Sequence, residues 1–366
     1  MSEKKKPEFR YHSDLMVEDE YVEKQQEHEE NERRGVQIEE SEDEGIHVVR
    51  VVIDEEGAKK TGRDPGRYVT LEAQGLRGGD QNLQQTLSRV FARSFVQFLN
   101  EHHISPNASC LVVGLGNREV TPDALGPKTV DELHVTRHLF KEAPETVEKG
   151  YRPVSAIAPG VMGVTGVETS DIIHALVKQI EPDAVIAIDA LASKSLERLN
   201  TTVQMSDTGI HPGSGVQNER KQLNEKTLGV PVFAVGIPTV VDAVSITSDA
   251  MDYLLKHLGR EKQEGDAPAK RLAPSGMTFG ERRNLGFDDL PLDEDRTAWL
   301  GAVGQLQEEE KRQLIQEVLA PLGHNLMVTP KEVDTFMDDM AHMLAQGMNA
   351  AFHEAIDEKN TGTFTH

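Results

Sequence analysis

Hydrophobic positions fall into short runs separated by longer stretches with helical spacing. His47-Val-Val-Arg-Val-Val-Ile53 and Arg67-Tyr-Val-Thr-Leu-Glu72 read as strands. From Asn82 to Glu101, Leu83, Leu87, Val90, Phe91, Phe95, Phe98 and Leu99 share one broad helical face. Three apolar runs follow, at 110–115, 184–189 and 230–237, each short enough for a buried strand. Between and after them, 129–140, 170–179 and 248–258 read as helices, with Ser170 as the cap of the second. The alternation predicts an α/β fold with a largely parallel central sheet flanked by helices on both faces. Arg260 to Ala273 reads as a linker, and 308–319 and 331–354 as helices of a C-terminal extension. The predicted divisions are therefore a core over 46–260 and a linker with a helical region over 261–366.

Charge changes the picture at the N-terminus. The chain has 366 residues and a formal net charge of −23. Residues 17–45 read as an acidic, flexible segment, with Glu39-Glu-Ser-Glu-Asp-Glu44 solvated. A chain this acidic is a poor direct binder of nucleic acid or anionic membrane. No apolar run approaches the ~20 residues of a membrane span, and no apolar stretch follows the charged first residues as in a secretory signal. Cys110 is the one cysteine, which excludes an intrachain disulfide and fits a reducing compartment.

The candidate chemistry sits where two of the apolar runs end. Cys110-Leu-Val-Val-Gly-Leu-Gly-Asn117 leads into a turn carrying Asp123, and Ala184-Val-Ile-Ala-Ile-Asp189 ends on a second carboxylate. In open α/β sheets, working groups collect outside the carboxyl ends of the strands. Two carboxylates brought together do not both ionise easily, which makes an acid and a base of one site. The competing roles are a turn or cap aspartate at 123 and a helix cap at 189. Gly114 and Gly116 lack the third glycine of a dinucleotide fingerprint, since position 119 is Glu. A tight turn beside a substrate backbone is the better reading, with Asn117 at its end. His134 and His138 stand at i, i+4 on the predicted helix, but no Glu follows His134 as in a zincin. Ser206-Asp-Thr-Gly-Ile-His-Pro-Gly-Ser-Gly215 offers hydroxyls and amides to an extended ligand, with Thr208, His211 and Ser214 as candidates. Its Asp-Thr-Gly triplet matches that of pepsin-type proteases by chance, because those are built largely of β structure. No nucleophile elbow supports a serine hydrolase.

Several long strings together carry a resemblance. They include Val120-Thr-Pro-Asp-Ala-Leu-Gly-Pro-Lys128, Arg152-Pro-Val-Ser-Ala-Ile-Ala-Pro-Gly-Val-Met162, Ser206 to Gly215, Gly236-Ile-Pro-Thr-Val-Val-Asp-Ala-Val-Ser-Ile-Thr247 and Ala320-Pro-Leu-Gly-His-Asn-Leu-Met-Val-Thr-Pro330. The chain resembles the germination protease family of spore-forming Bacilli along nearly its whole length. The resemblance implies an aspartic-type endopeptidase, related to hydrogenase-maturation peptidases, that cleaves small acid-soluble spore proteins at germination. It implies a homotetramer in the cytoplasm of the spore, made as a zymogen, with no cofactor and no metal. The catalytic aspartates carry over to Asp123 and Asp189. Family substrates are cut in sequences like Thr-Glu-Phe-Ala-Ser-Glu, and Ser13-Asp-Leu-Met-Val-Glu18 has that outline. This places self-cleavage between Met16 and Val17 and a propeptide over 1–16. Gly114, Gly116, Asn117, Thr208, His211 and Ser214 would bind substrate, and Arg118, Lys128 and Arg152 would meet its acidic residues. A metal-assisted peptidase and a non-catalytic binder of spore proteins stay open as alternatives.

Overall fold

The computed structural model describes residues 35–211, 221–264, 289–319 and 326–356. The strands are β1 (Val36–Asp43), β2 (Ile46–Ile53), β3 (Gly66–Glu72), β4 (Cys110–Gly114), β5 (Val154–Ile157), β6 (Ala184–Ser193), β7 (Thr202–Ser206), β8 (Val232–Asp242) and β9 (Met327–Val328). The helices are α1 (Glu55–Thr61), α2 (Gln81–Glu101), α3 (Leu125–Asp131), α4 (Arg137–Glu142), α5 (Met162–Thr165), α6 (Thr169–Ile180), α7 (Glu225–Leu228), α8 (Ala243–Glu264), α9 (Asp293–Leu300), α10 (Glu308–Leu319) and α11 (Val333–Phe352). They divide between two compact units.

The first unit takes the described residues of Met1–Ser193, Glu197–Val240 and Thr329–His366. Its sheet runs β1-β2-β3-β7-β8-β6-β4-β5. β4 is parallel to both β5 and β6, whereas β1–β2, β2–β3, β3–β7 and β7–β8 are antiparallel. The sheet is therefore mixed, which corrects the expectation of a largely parallel one. Periodicity reports which residues are buried but carries no strand direction. The antiparallel half begins as a hairpin whose turn residues, Glu44 and Gly45, have φ of 50° and 81°. Such paired left-handed residues match the twist of a tight hairpin. The acidic run 39–44 is thus mostly strand β1, its carboxylates exposed along a sheet edge where charge discourages further pairing. Arg89 and Arg93 of α2 hold Glu44, and Arg93 also holds Asp43.

Two apolar layers cover the sheet of this unit. On one face, α2 and α11 pack together over Val112, Ile186, Ile188, Val203 and Val235. Stacked rings of Phe91 and Phe95 and the edge of Phe352 join the two helices, with centroids 5.6 and 5.9 Å apart. On the other face, Ile173 and Val177 of α6 meet Leu111, Val113, Leu115, Val185, Ala187 and Leu191.

The predicted 129–140 helix is two short ones, α3 and α4. The chain between them is drawn out as Thr136 N–H donates to Val154 O at 3.0 Å and the Thr136 hydroxyl donates to Arg152 O. His134 lies in this break, so it does not share a helical face with His138. Its amide donates to Asn349 Oδ1 at 2.8 Å.

Arg152 is buried, with Nη1 3.5 Å from Cys110 Sγ and its guanidinium over the Phe352 ring. Burial pushes the Cys110 thiol pKa up, which leaves it a packing group. His353 is fully buried alongside, donating through Nε2 to His134 O and accepting from Arg152 N–H at Nδ1. Burial, reinforced by the Arg152 charge, pulls the His353 pKa down to about 4. An unfolded histidine takes a proton near pH 6.5. The unfolded chain therefore binds the extra proton first, and stability falls between about pH 6.5 and pH 4. Unfolding curves over that window should be steeper in pH for the natural protein than for His353→Gln. Identical pH slopes would remove His353 as the cause.

The second unit comprises Lys194–Leu196 and the described residues of Val241–Val328. Val241 and Asp242, ending β8, pair antiparallel with β9. α8 and α10 pack on one another around Lys311, whose ammonium lies 2.7 Å from Asp252 and is also held by Glu308. Residues 260–264 of the expected linker extend α8; 265–273 lie outside the described residues.

Candidate active site

β4 and β6 run side by side in register, Cys110 opposite Ala184 and Gly114 opposite Ile188. Just past the end of β4, Leu115 N–H still donates to Ile188 O at 2.8 Å. The next residue of β6 is Asp189. The chain then reverses at Gly116, whose φ is +107°. A Cβ there would sit 2.0 Å from Asp123 O, so only glycine admits this return. Asn117 N–H donates to both Asp123 O (3.1 Å) and Asp123 Oδ2 (2.8 Å). Pro122 shapes the single turn Thr121–Asp123, and its carbonyl accepts from Thr239 Oγ1 of β8 at 2.6 Å. After the turn, α3 crosses β4 at a glycine-on-glycine contact. A Cβ on Gly126 would meet Leu115 O at 2.4 Å and Ile188 O at 2.6 Å, and one on Gly114 would meet Gly126 O at 2.3 Å.

Glycine at these crossings thus draws the Asp123 turn down onto the carboxyl ends of β4 and β6. Asp189 is only 8% exposed, and its Oδ1 accepts from Ala190 N–H at 2.9 Å. It stands inside β6, which continues to Ser193, and the next element is β7, so it caps no helix. Asp123 carries the turn rather than a cap, and the Thr121–Asp123 turn packs against β6. Both carboxylates therefore emerge at one edge of the sheet, from adjacent parallel strands.

A family model described as germination protease matches residues 12–365. A germination protease of Halalkalibacterium halodurans is 59% identical over 98% of both chains. Those of Bacillus cytotoxicus and Bacillus mycoides are 58% and 57% identical, over 97% of this chain and 96% of theirs. The chain belongs to the germination protease family. Among solved structures, a [NiFe] hydrogenase maturation protease HycI from Thermococcus kodakarensis KOD1 is similar at 16% identity, covering 38% of this chain and 80% of that one, with a TM-score of 0.26. That likeness is too distant to bear on the site.

The other residues expected to serve a germination protease are dispersed. Gly114, Gly116 and Asn117 form the turn under Asp123. Thr208 and His211 do not join them. β7 runs antiparallel to β8, with Ser206 opposite Ala234, while Val185 N–H donates to Pro231 O and so aligns the starts of β6 and β8. The chain leaving β7 therefore heads for the amino-terminal edge of β6, away from Asp189. Thr208 is held there by Ser206, whose hydroxyl lies 2.6 Å from its own, and burial lowers the His211 pKa. Ser214, Met16 and Val17 lie outside the described residues. Arg118 is paired with Asp131 and Lys128 with Asp338 at the surface, whereas Arg152 is enclosed in the core and so is not placed to meet an acidic substrate. Among the described residues, no three His, Cys, Asp or Glu side chains gather in a way that would hold a metal ion, and no helix is long and apolar enough to cross a membrane.

Asp207 was hidden from sequence reasoning by its chance triplet. It accepts from Arg67 N–H at 2.8 Å and from His102 Nε2 at 2.7 Å, and so anchors α2 to β3 and β7. Nothing in the sequence near position 207 signals His102 as its partner, 105 residues away.

Proposed function

We propose that this germination protease is an aspartic-type endopeptidase whose acid and base are Asp123 and Asp189. It initiates the breakdown of small acid-soluble spore proteins in the germinating spore, acts as a homotetramer, and is released from a zymogen by self-cleavage between Met16 and Val17. The observation that supports this most is the delivery of two carboxylates to one sheet edge from adjacent parallel strands, one of them almost fully buried.

The chemistry follows from that arrangement. One aspartate, ionised, takes a proton from a water molecule as its oxygen bonds to the scissile carbonyl carbon. The other, protonated, stabilises the carbonyl oxygen and supplies the proton that lets the amine leave as the C–N bond breaks. Acid–base help of this kind is worth about 10² to 10⁴-fold. The roles belong to the pair, because coupled carboxyls titrate together. Asn117 N–H donates to Asp123 and Ala190 N–H to Asp189, so a backbone amide holds each carboxyl group in place.

The test is to incubate the purified full chain with a small acid-soluble spore protein and follow both by intact mass, with and without a chelator. Expected are loss of residues 1–16 and cleavage of the substrate, neither changed by the chelator. Loss of cleavage on chelation, restored by a divalent ion, would mean a metal-assisted peptidase. A shortened chain that leaves its substrate intact would mean a binder.

A further inference from the structure

Ser170, the second residue of α6, is 5% exposed, and its hydroxyl is buried with no hydrogen-bond partner. Natural proteins leave few buried polar groups in this condition, because each forfeits its water without compensation. The sequence suggests that Ser170 caps the helix, but the cap position is Glu168. The Glu168 carbonyl accepts from Asp171 and Ile172, and its side chain makes no capping bond. The first-turn amides of Thr169 and Ser170 have no acceptor within the helix. One end of α6 thus gathers a hydroxyl and two amides as donors.

Where those donors stand follows from the packing. Ser170, Ile173 and Val177 form the buried stripe of α6. Ile173 and Val177 lie in the apolar layer that also holds Val185, Ala187 and Leu191 of β6. Side chains alternate along a strand, so Asp189 faces the same layer as its neighbours at 187 and 191. The heights agree as well. From Ile180 back to Ser170, ten helical residues rise about 15 Å. From Ala184 forward to Asp189, five strand residues rise about 16 Å. The helix runs down and the strand runs up from a short connection, which brings Ser170 level with Asp189 on one side of the sheet.

We propose that Ser170 Oγ–H, with the Thr169 and Ser170 amides, receives the carbonyl oxygen of the scissile peptide beside Asp189. As water adds to the carbonyl carbon, the C=O π electrons move to that oxygen, and the three donors hold the charge that develops there. The charge returns to re-form C=O as the protonated amine departs. Ser170 keeps its own proton throughout and forms no covalent bond. The proposal rests on the reading of Asp123 and Asp189 as the acid–base pair, and it adds a donor set fixed before substrate arrives.

The experiment compares Ser170→Ala, Ser170→Cys, Asp123→Asn and Asp189→Asn with the natural full chain. Each is incubated under conditions in which the natural protein becomes active, and intact mass records the form present. Initial rates are then measured on a peptide carrying Thr-Glu-Phe-Ala-Ser-Glu, alongside thermal unfolding. Ser170→Ala removes no hydrogen bond from the folded protein, so its midpoint of unfolding should be unchanged or higher. Its kcat should fall by about 10²-fold with KM little altered, the size seen when one such donor is removed. Ser170→Cys, of nearly the same shape but a weaker donor, should lie between. Natural kcat in both Ser170 variants, with the aspartate variants inactive, overturns the role of Ser170 alone. Full activity in the aspartate variants overturns the acid–base reading beneath it. If Ser170→Ala does not fold, Ser170→Cys decides, and a natural kcat there also overturns the proposal.

Discussion

Asp189→Asn is expected to fold as the natural protein does and to lose about 10³-fold or more of its kcat/KM, with Asp123→Asn doing the same. Asparagine keeps the shape of the side chain and one carbonyl oxygen. That oxygen can still accept from Ala190 N–H in the first variant and from Asn117 N–H in the second. What disappears is the group that exchanges a proton. Neither variant should lose stability, since an amide is cheaper than a carboxylate to keep in a dry site, and active sites commonly gain stability when disarmed. Peptide hydrolysis and thermal unfolding measured on the same samples check both halves. A variant that melts early would say instead that the carboxylate holds the Gly116–Asp123 turn together. A variant with natural activity would take that residue out of the chemistry.

The second large effect is on stability and concerns His102. Its Nδ1 lies 2.7 Å from Phe98 O and its Nε2 2.7 Å from Asp207 Oδ2. Both partners only accept, so both ring nitrogens carry hydrogens and the ring is an imidazolium. The hydrogen bond to Asp207 is the main reason its pKa is raised; burial works against it. Phe98 and Phe233 pack against the ring, with centroids 5.0 and 5.1 Å away. Because the folded pKa lies above the unfolded one, the stabilisation is complete below about pH 6.5 and is lost as pH rises through the folded value. Asp207→Asn should cost about 2 kcal/mol near pH 6, the scale of a hydrogen bond to a charged group, and progressively less in alkali. Denaturant unfolding of the natural protein and of Asp207→Asn, from pH 6 upward, makes the comparison. Two curves that stay parallel across that range would show that the proton on His102 contributes nothing.

Much of this site was legible because it rests on local rules. The apolar runs at 110–115 and 184–189 are buried strands, and the rule that chemistry gathers at carboxyl ends chose Asp123 and Asp189 without further help. What stayed hidden depends on partners far away in the chain. Thr202–Ser206 became β7 by pairing with β3 and β8, yet its five residues carry no strong strand pattern of their own. Acidic side chains disguised β1, since an edge strand needs only one buried face. Arg152 looked like a surface cation until α11 closed over it, and Ser170 looked like a cap until the helix began two residues earlier. The direction of β7, which carries Thr208 and His211 away from the aspartates, is a property of pairing that no single segment encodes.

The place of α11 in the chain has a consequence for how this protease comes into being. α11 packs on α2, on α3 and on the very turn that ends in Asp123. Yet it spans Val333–Phe352, more than 200 residues beyond that turn. Synthesis proceeds from the amino terminus, so from residue 189 until the helix at Val333–Phe352 is made the nascent chain has Asp123 and Asp189 but not the helix against which the first is braced. The Asp123 turn can take its final form only once α11 has been made. A chain cut short before α11 would carry both aspartates but lack the helix that braces the turn of the first.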